Sequence, residues 1–496
     1  MFLKAGALSL ASLLLSRLLG LARESAQAAA FGTSGLGDVA VLLLTLPDLL
    51  AGLLASGALA YVLLPHWAQQ SVQQQAASQR RVAIWLLAGG AVLGALLWLA
   101  QGPVAAVLAP GVPAPLRPVA AQALVWAAVA LPAALLAALW VTRLQHLSDF
   151  AGLYAANLVV NGVLIAALVF VAYGGHGMGT VPLLGLVLLA AMGLRLLWLR
   201  LRLNAAGVTS EAEAGTAALS LPPASIWLWA VLSAGLPLAL PFVARSLASQ
   251  AGEGALAAFN YAWKLVELPL VLAIQLVAAL AFPSITRALA RPGAGVADRK
   301  EAIQAVRSAF VLAWTLACAA AAALLIGAPV LAQLLFGWGR MSPQGLAQLA
   351  TWATVGAWGL LPQALTAVAL TILATQHHMQ SALAAYAVAL GVLLLAGMSG
   401  VSDGAQLMGL LNAVLVGVAA ASLMALGHDM RRWLPWQAML APAGVLIAVA
   451  GLLELGLLPA SGLDMASALG ICALAAIAVV ASAWLAGPHL KAALRR

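Results

Sequence analysis

The chain has 496 residues, 64% hydrophobic and 7% charged, with a formal net charge of +9 and a mean hydropathy of +1.05. Soluble globular domains carry about a quarter charged residues, so this composition excludes them, and continuous Ala- and Leu-rich runs exclude a β-barrel in favour of spanning helices. The basic excess lies at the ends of the apolar runs, a signal of orientation and of attraction to anionic lipid, not of nucleic-acid binding.

Cutting the chain at Pro, Gly and polar punctuation predicts fourteen spans: 3–31, 38–65, 81–101, 119–142, 150–172, 178–199, 225–250, 254–285, 304–327, 345–375, 379–398, 404–427, 436–458 and 465–486. The longest hydrophilic stretches, 66–80, 200–224 and 286–303, leave no room for a soluble domain.

The first span contains "SRLLGLARES" at 16–25. A charge at the bilayer centre costs roughly 2.5–3.5 kcal/mol, so Arg17, Arg23 and Glu24 need a compensating use. At helical spacing Ser9, Ser12, Ser16, Gly20, Arg23 and Gln27 share one arc, with Arg17 and Glu24 at its edge, and Leu, Ala and Phe cover the opposite face. That pattern predicts a helix with one side on a wet cavity. A dry bundle in which the charges neutralise one another is the competing account, and buried pairs are poor stabilisers. Lys4, the apolar run and "AQA" at 26–28 imitate a cleaved secretory signal, but Arg23 and Glu24 just before the cut argue against cleavage.

The second span adds Asp38, Pro47, an isolated acid at Asp48, and Pro65. Spans seven and eight repeat the scheme 222 residues later. Arg23 precedes Asp38 by fifteen residues and Asp38 precedes Pro47 by nine; Arg245, Asn260 and Pro269 keep both spacings, and Pro283 answers Pro65. Six-helix units repeated in one orientation are one of the two transporter plans, with substrate bound between the halves. The predicted domains are an N-terminal lobe at 1–203, a cytoplasmic linker at 204–224, a C-terminal lobe at 225–427, and two extra helices with a tail at 428–496. On the eighth span Asn260, Lys264, Glu267 and Gln275 share a face, Tyr261 lies at its edge, and Lys264 and Glu267 are spaced to pair. Pro47 and Pro269 predict matched kinks suited to bending or gating.

Charge bias sets the orientation. With the N-terminus inside, sixteen Lys and Arg fall on inner segments and only Arg117 and Arg340 on outer ones; Arg17, Arg23, Arg195, Arg245 and Lys264 lie within spans. Both termini are therefore predicted to be cytoplasmic. Cys318 and Cys472 lie in apolar runs and read as packing residues. His66, His377, His378 and His428 read as interfacial, and Trp67, Trp338, Trp433 and Trp436 as an aromatic belt.

"LSRLLGLARESAQAAAFGTSGLGDVAVLLLTLPDLL" resembles the opening helices of the MurJ/MviN lipid II flippases of the multidrug/oligosaccharidyl-lipid/polysaccharide exporter superfamily, and "NYAWKLVELP" resembles their eighth helix. The resemblance implies an all-α polytopic protein of about fourteen helices, two parallel six-helix repeats plus two C-terminal helices, in the bacterial inner membrane. It implies movement of the undecaprenyl-pyrophosphate-linked peptidoglycan precursor, lipid II, to the outer leaflet by alternating access. The partners it implies are lipid II, membrane lipids and cell-wall synthesis proteins; no cofactor, metal or nucleic acid is called for. Arg17 and Arg23 would then contact pyrophosphate, Glu24 would orient Arg23, and Lys264 would supply the opposing positive charge; Asn260, Glu267 and Arg245 are the further substrate-site candidates. Asp38 would take part in closing the outer gate; the matched kinks at Pro47 and Pro269 and the isolated acid Asp48 are the further gating candidates. Forked guanidinium donors suit phosphate oxygens.

The chain departs from the family pattern at several places. Ala51 and Gly52 stand where a basic pair is usual, Thr45 where a lysine is common, and Lys264 where an arginine is usual; acids of a sodium site are missing from helices seven and eleven. An exporter of another polyprenyl-linked oligosaccharide, or of amphiphilic cations, is the alternative. A glycosyltransferase needs a catalytic carboxylate on an outer loop, and segments 102–118 and 328–344 contain no Asp or Glu.

Overall fold

The computed structural model describes residues 2–174, 179–207, 221–280, 296–376, 378–427, 430–458, 464–488 and 490–491. Pro283, His377, His428 and most of the 204–224 linker lie outside the described residues, as do the side chains of Lys4, Ser9 and Gln275.

Helix α1 (Phe2–Phe31) has 30 residues, enough to cross a bilayer at 1.5 Å per residue. The second span is broken into α2 (Gly35–Leu53), a π-turn (Leu54–Ala58) and α3 (Leu59–Ala68). Then come α4 (Val72–Leu99), the short α5 (Gln101–Leu108), α6 (Arg117–His146), α7 (Phe150–Gly174) and α8 (Thr180–Ala205). The later helices are α9 (Ala224–Ala248), α10 (Ala255–Leu280), α11 (Val296–Phe336), α12 (Pro343–Gly356), α13 (Leu360–Thr375), α14 (Met379–Met398), α15 (Gly404–Met424), α16 (Met430–Trp433), α17 (Trp436–Glu454) and α18 (Met465–Ala486). Among the described residues, 13 helices are long and apolar enough to cross a membrane. The charged α1 completes the fourteen predicted spans.

The chain divides into two compact units, Met1–Ala257 with Trp338–Ser342, and Ala258–Gly337 with Pro343–Arg496. In the first unit α4 packs on α6, α6 on α8 and α7 on α8; six spans later, in the second, α11 packs on α13, α13 on α15 and α14 on α15. Spans three to six thus share their neighbour pattern with spans nine to twelve, at the six-span offset of the sequence repeat. The seventh span breaks it. Whereas α1 runs along α7, its counterpart α9 lies against the π-turn, α2 and α3. Gly57 permits this contact, because a Cβ there would run into the Ala234 methyl, and Ala58, Val62 and Ala230 form the buried seam.

In the second unit the two extra helices pack on α11 and on each other. Trp314 Nε1 donates to the Met439 carbonyl at 3.0 Å, and Cys472 Sγ occupies the space that a side chain at Gly327 would need. Both cysteines are free and buried, in keeping with a packing role.

The aromatic belt needs correction. Trp338 and Trp436 are exposed, but Trp433 is buried and Trp67 is fully so. Trp67 donates Nε1–H to Ser78 Oγ at 2.9 Å and meets His146 edge-on. The Arg143 guanidinium lies 5.1 Å from its ring centroid and donates to Gln75 Oε1 at 2.8 Å. A tryptophan near a span end therefore anchors α3, α4 and α6, since its indole N–H finds a partner inside the protein.

Candidate functional site

Four helices of the first unit close a ring: α1 touches α2, α2 touches α8, α8 touches α7, and α7 runs along α1. The polar arc of α1 turns into this ring. Ser16, Glu24 and Gln27 are buried, Arg23 is 11% exposed at its side chain, and Arg17 is exposed. Arg23 donates from Nη2 to Glu24 Oε1 at 2.9 Å and from Nη1 to Asp48 Oδ2 at 2.5 Å. Its Nε has no acceptor among the described residues. Asp48 is therefore not isolated; the second span carries it beside the first-span arginine, with 35% of its side chain exposed.

The ring also collects residues that sequence reasoning left without a role. Arg195 on α8 is buried and donates to Asn157 Oδ1 on α7 at 3.1 Å. Tyr154 lies within electrostatic reach of Arg17, and the Asn161 amide lies about 4.0 Å from where a Cβ on Gly20 would stand. Asn157 and Asn161 follow i, i+4 spacing on one face of an apolar helix, the only hint in the sequence that α7 contributes.

Asp38 has a different environment. It is fully buried and accepts the backbone N–H groups of Gly254 and Ala257, each at 2.8 Å. Glu253 Oε1 in turn accepts the Gly35 N–H at 2.9 Å, and Ser34 Oγ accepts the Gly37 N–H. Two helix N-termini thus exchange carboxylates, each meeting free amides and the positive end of a dipole. Gly254 sits at φ +79° with Thr33 against it, a position closed to other residues.

Arg245 on α9 stacks over Phe242 at 5.0 Å, with its Nη1 3.4 Å from Thr45 Oγ1. A guanidinium from α9 therefore reaches Thr45 on α2. Pro47 and Pro269 both lie inside helices, α2 and α10, and the π-turn begins seven residues beyond Pro47. In the second unit Lys264 Nζ pairs with Glu267 Oε2 at 2.7 Å, each side chain 32% exposed. Asn260 is buried. Tyr261, read as an edge of the polar face, is fully buried and stacks on Phe336 at 5.2 Å between ring centroids, so its ring packs the core. No group of three or more His, Cys, Asp or Glu suited to a metal occurs among the described residues.

A family model described as Lipid II flippase MurJ matches residues 27–480. A search of curated protein sequences returns no match. Among solved structures, a lipid II flippase MurJ in an inward closed conformation superposes with a TM-score of 0.77 at 12% identity, covering 99% of this chain and 100% of that one. An inward-facing multidrug resistance MATE family transporter of the MOP superfamily gives 0.59 at 17% identity, covering 84% and 94%. A MOP superfamily transporter from Pyrococcus furiosus gives 0.55 at 18% identity, covering 86% and 95%.

Proposed function

The chain belongs to the MurJ lipid II flippase family, and on that premise we propose that Arg23, flanked by Glu24 and Asp48, is the principal ligand of the lipid II pyrophosphate. The protein is a multi-pass membrane transporter that moves lipid II from the inner to the outer leaflet by alternating access. One observation carries the site assignment. Arg23 is nearly buried, yet its Nε lacks an acceptor among the described residues, and Asp48 on its Nη1 is partly exposed. An arriving phosphate can take that place with better fork geometry.

Lys264, next to Glu267 and near Asn260, supplies a second cation from the eighth helix, and Arg245 a third near Thr45. Arg17, exposed on α1, meets the headgroup first. Asp38 acts as the gate latch: its bonds to Gly254 and Ala257 must break for the start of α10 to leave α2. The prolines at 47 and 269 let α2 and α10 bend as it does so. The six-helix lobes run 1–203 and 225–427, joined by the 204–224 linker and followed by the extra helices at 428–496. The basic bias of alternate segments supports cytoplasmic termini in a bacterial inner membrane. Cell-wall synthesis proteins take up the delivered precursor.

Complementation tests the assignment. In a bacterium depleted of its own flippase, the wild-type chain restores growth and Arg23→Ala, produced at the same level, does not. Growth on Arg23→Ala contradicts it.

A further inference from the structure

Arg195 is buried at the junction of α7 and α8, and, like Arg23, its Nε has no acceptor among the described residues. Asn157 meets one of its terminal nitrogens but brings no charge. A buried guanidinium held only by an amide is costly in any membrane protein, and such residues commonly mark a substrate path. The nearby acid is Asp48, which lies within electrostatic reach of Arg195 across the α2–α8 contact and is ion-paired to Arg23.

We propose that Arg195, oriented by Asn157, is a further guanidinium of the anion site, and that Asp48 occupies that site until the substrate's pyrophosphate displaces it. The proposal rests on Arg23 as a phosphate ligand and deepens that assignment. With Asp48 in place the two buried arginines are balanced by Glu24 and Asp48. A carboxylate is a small acceptor and leaves both Nε–H groups unmet. A dianionic pyrophosphate offers more oxygens, spread over a greater length, and can meet donors from α1 and α8 together. Asp48 is also the member best able to leave, since its side chain is 35% exposed whereas that of Glu24 is 8% exposed.

The test is binding of undecaprenyl pyrophosphate, with undecaprenol as the phosphate-free control, to full-length protein in nanodiscs. Loss of a charge-assisted contact predicts that Arg195→Gln weakens undecaprenyl pyrophosphate binding about tenfold or more and leaves undecaprenol binding unchanged. Arg195→Lys, a point charge without the fork, falls between Arg195→Gln and wild type. Asp48→Asn removes the competitor and tightens pyrophosphate binding. Wild-type affinity in Arg195→Gln beside a loss in Arg23→Gln overturns the role of Arg195 while leaving Arg23 as the ligand; wild-type affinity in both overturns the whole anion site. Should Arg195→Gln fail to fold, wild-type affinity in Arg195→Lys refutes the role of Arg195. Weaker or unchanged binding in Asp48→Asn refutes displacement.

Discussion

The buried Asp38 carboxylate on α2 accepts the backbone N–H of Gly254, at 2.8 Å, one residue before α10 begins. A second bond, from Ala257, makes the acid a cap for α10, and it fixes α2 and the start of α10 in one register. Replacing Asp38 by Ala leaves two buried amides without an acceptor. We predict a loss of about 2 kcal/mol, seen as a lower thermal unfolding midpoint in detergent. Asp38→Asn keeps one acceptor oxygen but loses the charge facing the helix dipole, and it falls between Asp38→Ala and wild type.

Gly254 is the backbone half of the same contact. Its φ of +79° lies in the left-handed region, and a Cβ would strike the Thr33 carbonyl. Gly254→Ala therefore costs more than the roughly 1–2 kcal/mol of the conformation alone. The unfolding midpoint of Gly254→Ala is predicted to drop at least as far as that of Asp38→Ala.

Trp67 tests the knot at the opposite end of the second span. It is fully buried between α4 and α6, so Trp67→Ala is predicted to cost about 3–5 kcal/mol. Trp67→Phe keeps most of the packing and loses the Ser78 hydrogen bond, about 1 kcal/mol. Thermal unfolding of both variants checks the ranking; equal effects would mean that the indole N–H, not the ring, dominates.

Lys264 and Glu267 separate function from stability. Their i, i+3 pair is about one-third exposed, and such pairs contribute at most roughly 0.5 kcal/mol. Lys264→Ala is expected to fold and unfold like wild type yet move lipid II more slowly. A large fall in stability would assign the pair to packing.

The span pattern was legible because apolar length and punctuation are local properties; among the described residues each predicted span coincides with helix. The pairing of Lys264 with Glu267 was also legible, since helical spacing alone sets it. Asp48 looked isolated because its partner Arg23 is 25 residues away, on another helix, and nothing in an apolar run announces that contact. Arg195 carries no such signal either: it is a lone charge in an apolar run, and only the packing of α7 on α8 joins it to Asn157. Trp67 was misassigned because a tryptophan at a span end has the same sequence signature whether it faces lipid or core. The π-turn at 54–58 has no signal beyond Gly57, whose bare backbone becomes meaningful only when α9 packs on it.

Whether the Arg23 guanidinium holds the lipid II pyrophosphate during translocation is tested most directly by the amount of lipid II open to an externally added lipid II hydrolase in cells that depend on this chain. Wild type should expose lipid II to the hydrolase, and Arg23→Gln at equal protein level should leave it protected and accumulating on the inner face. Equal cleavage in the two strains would contradict the account.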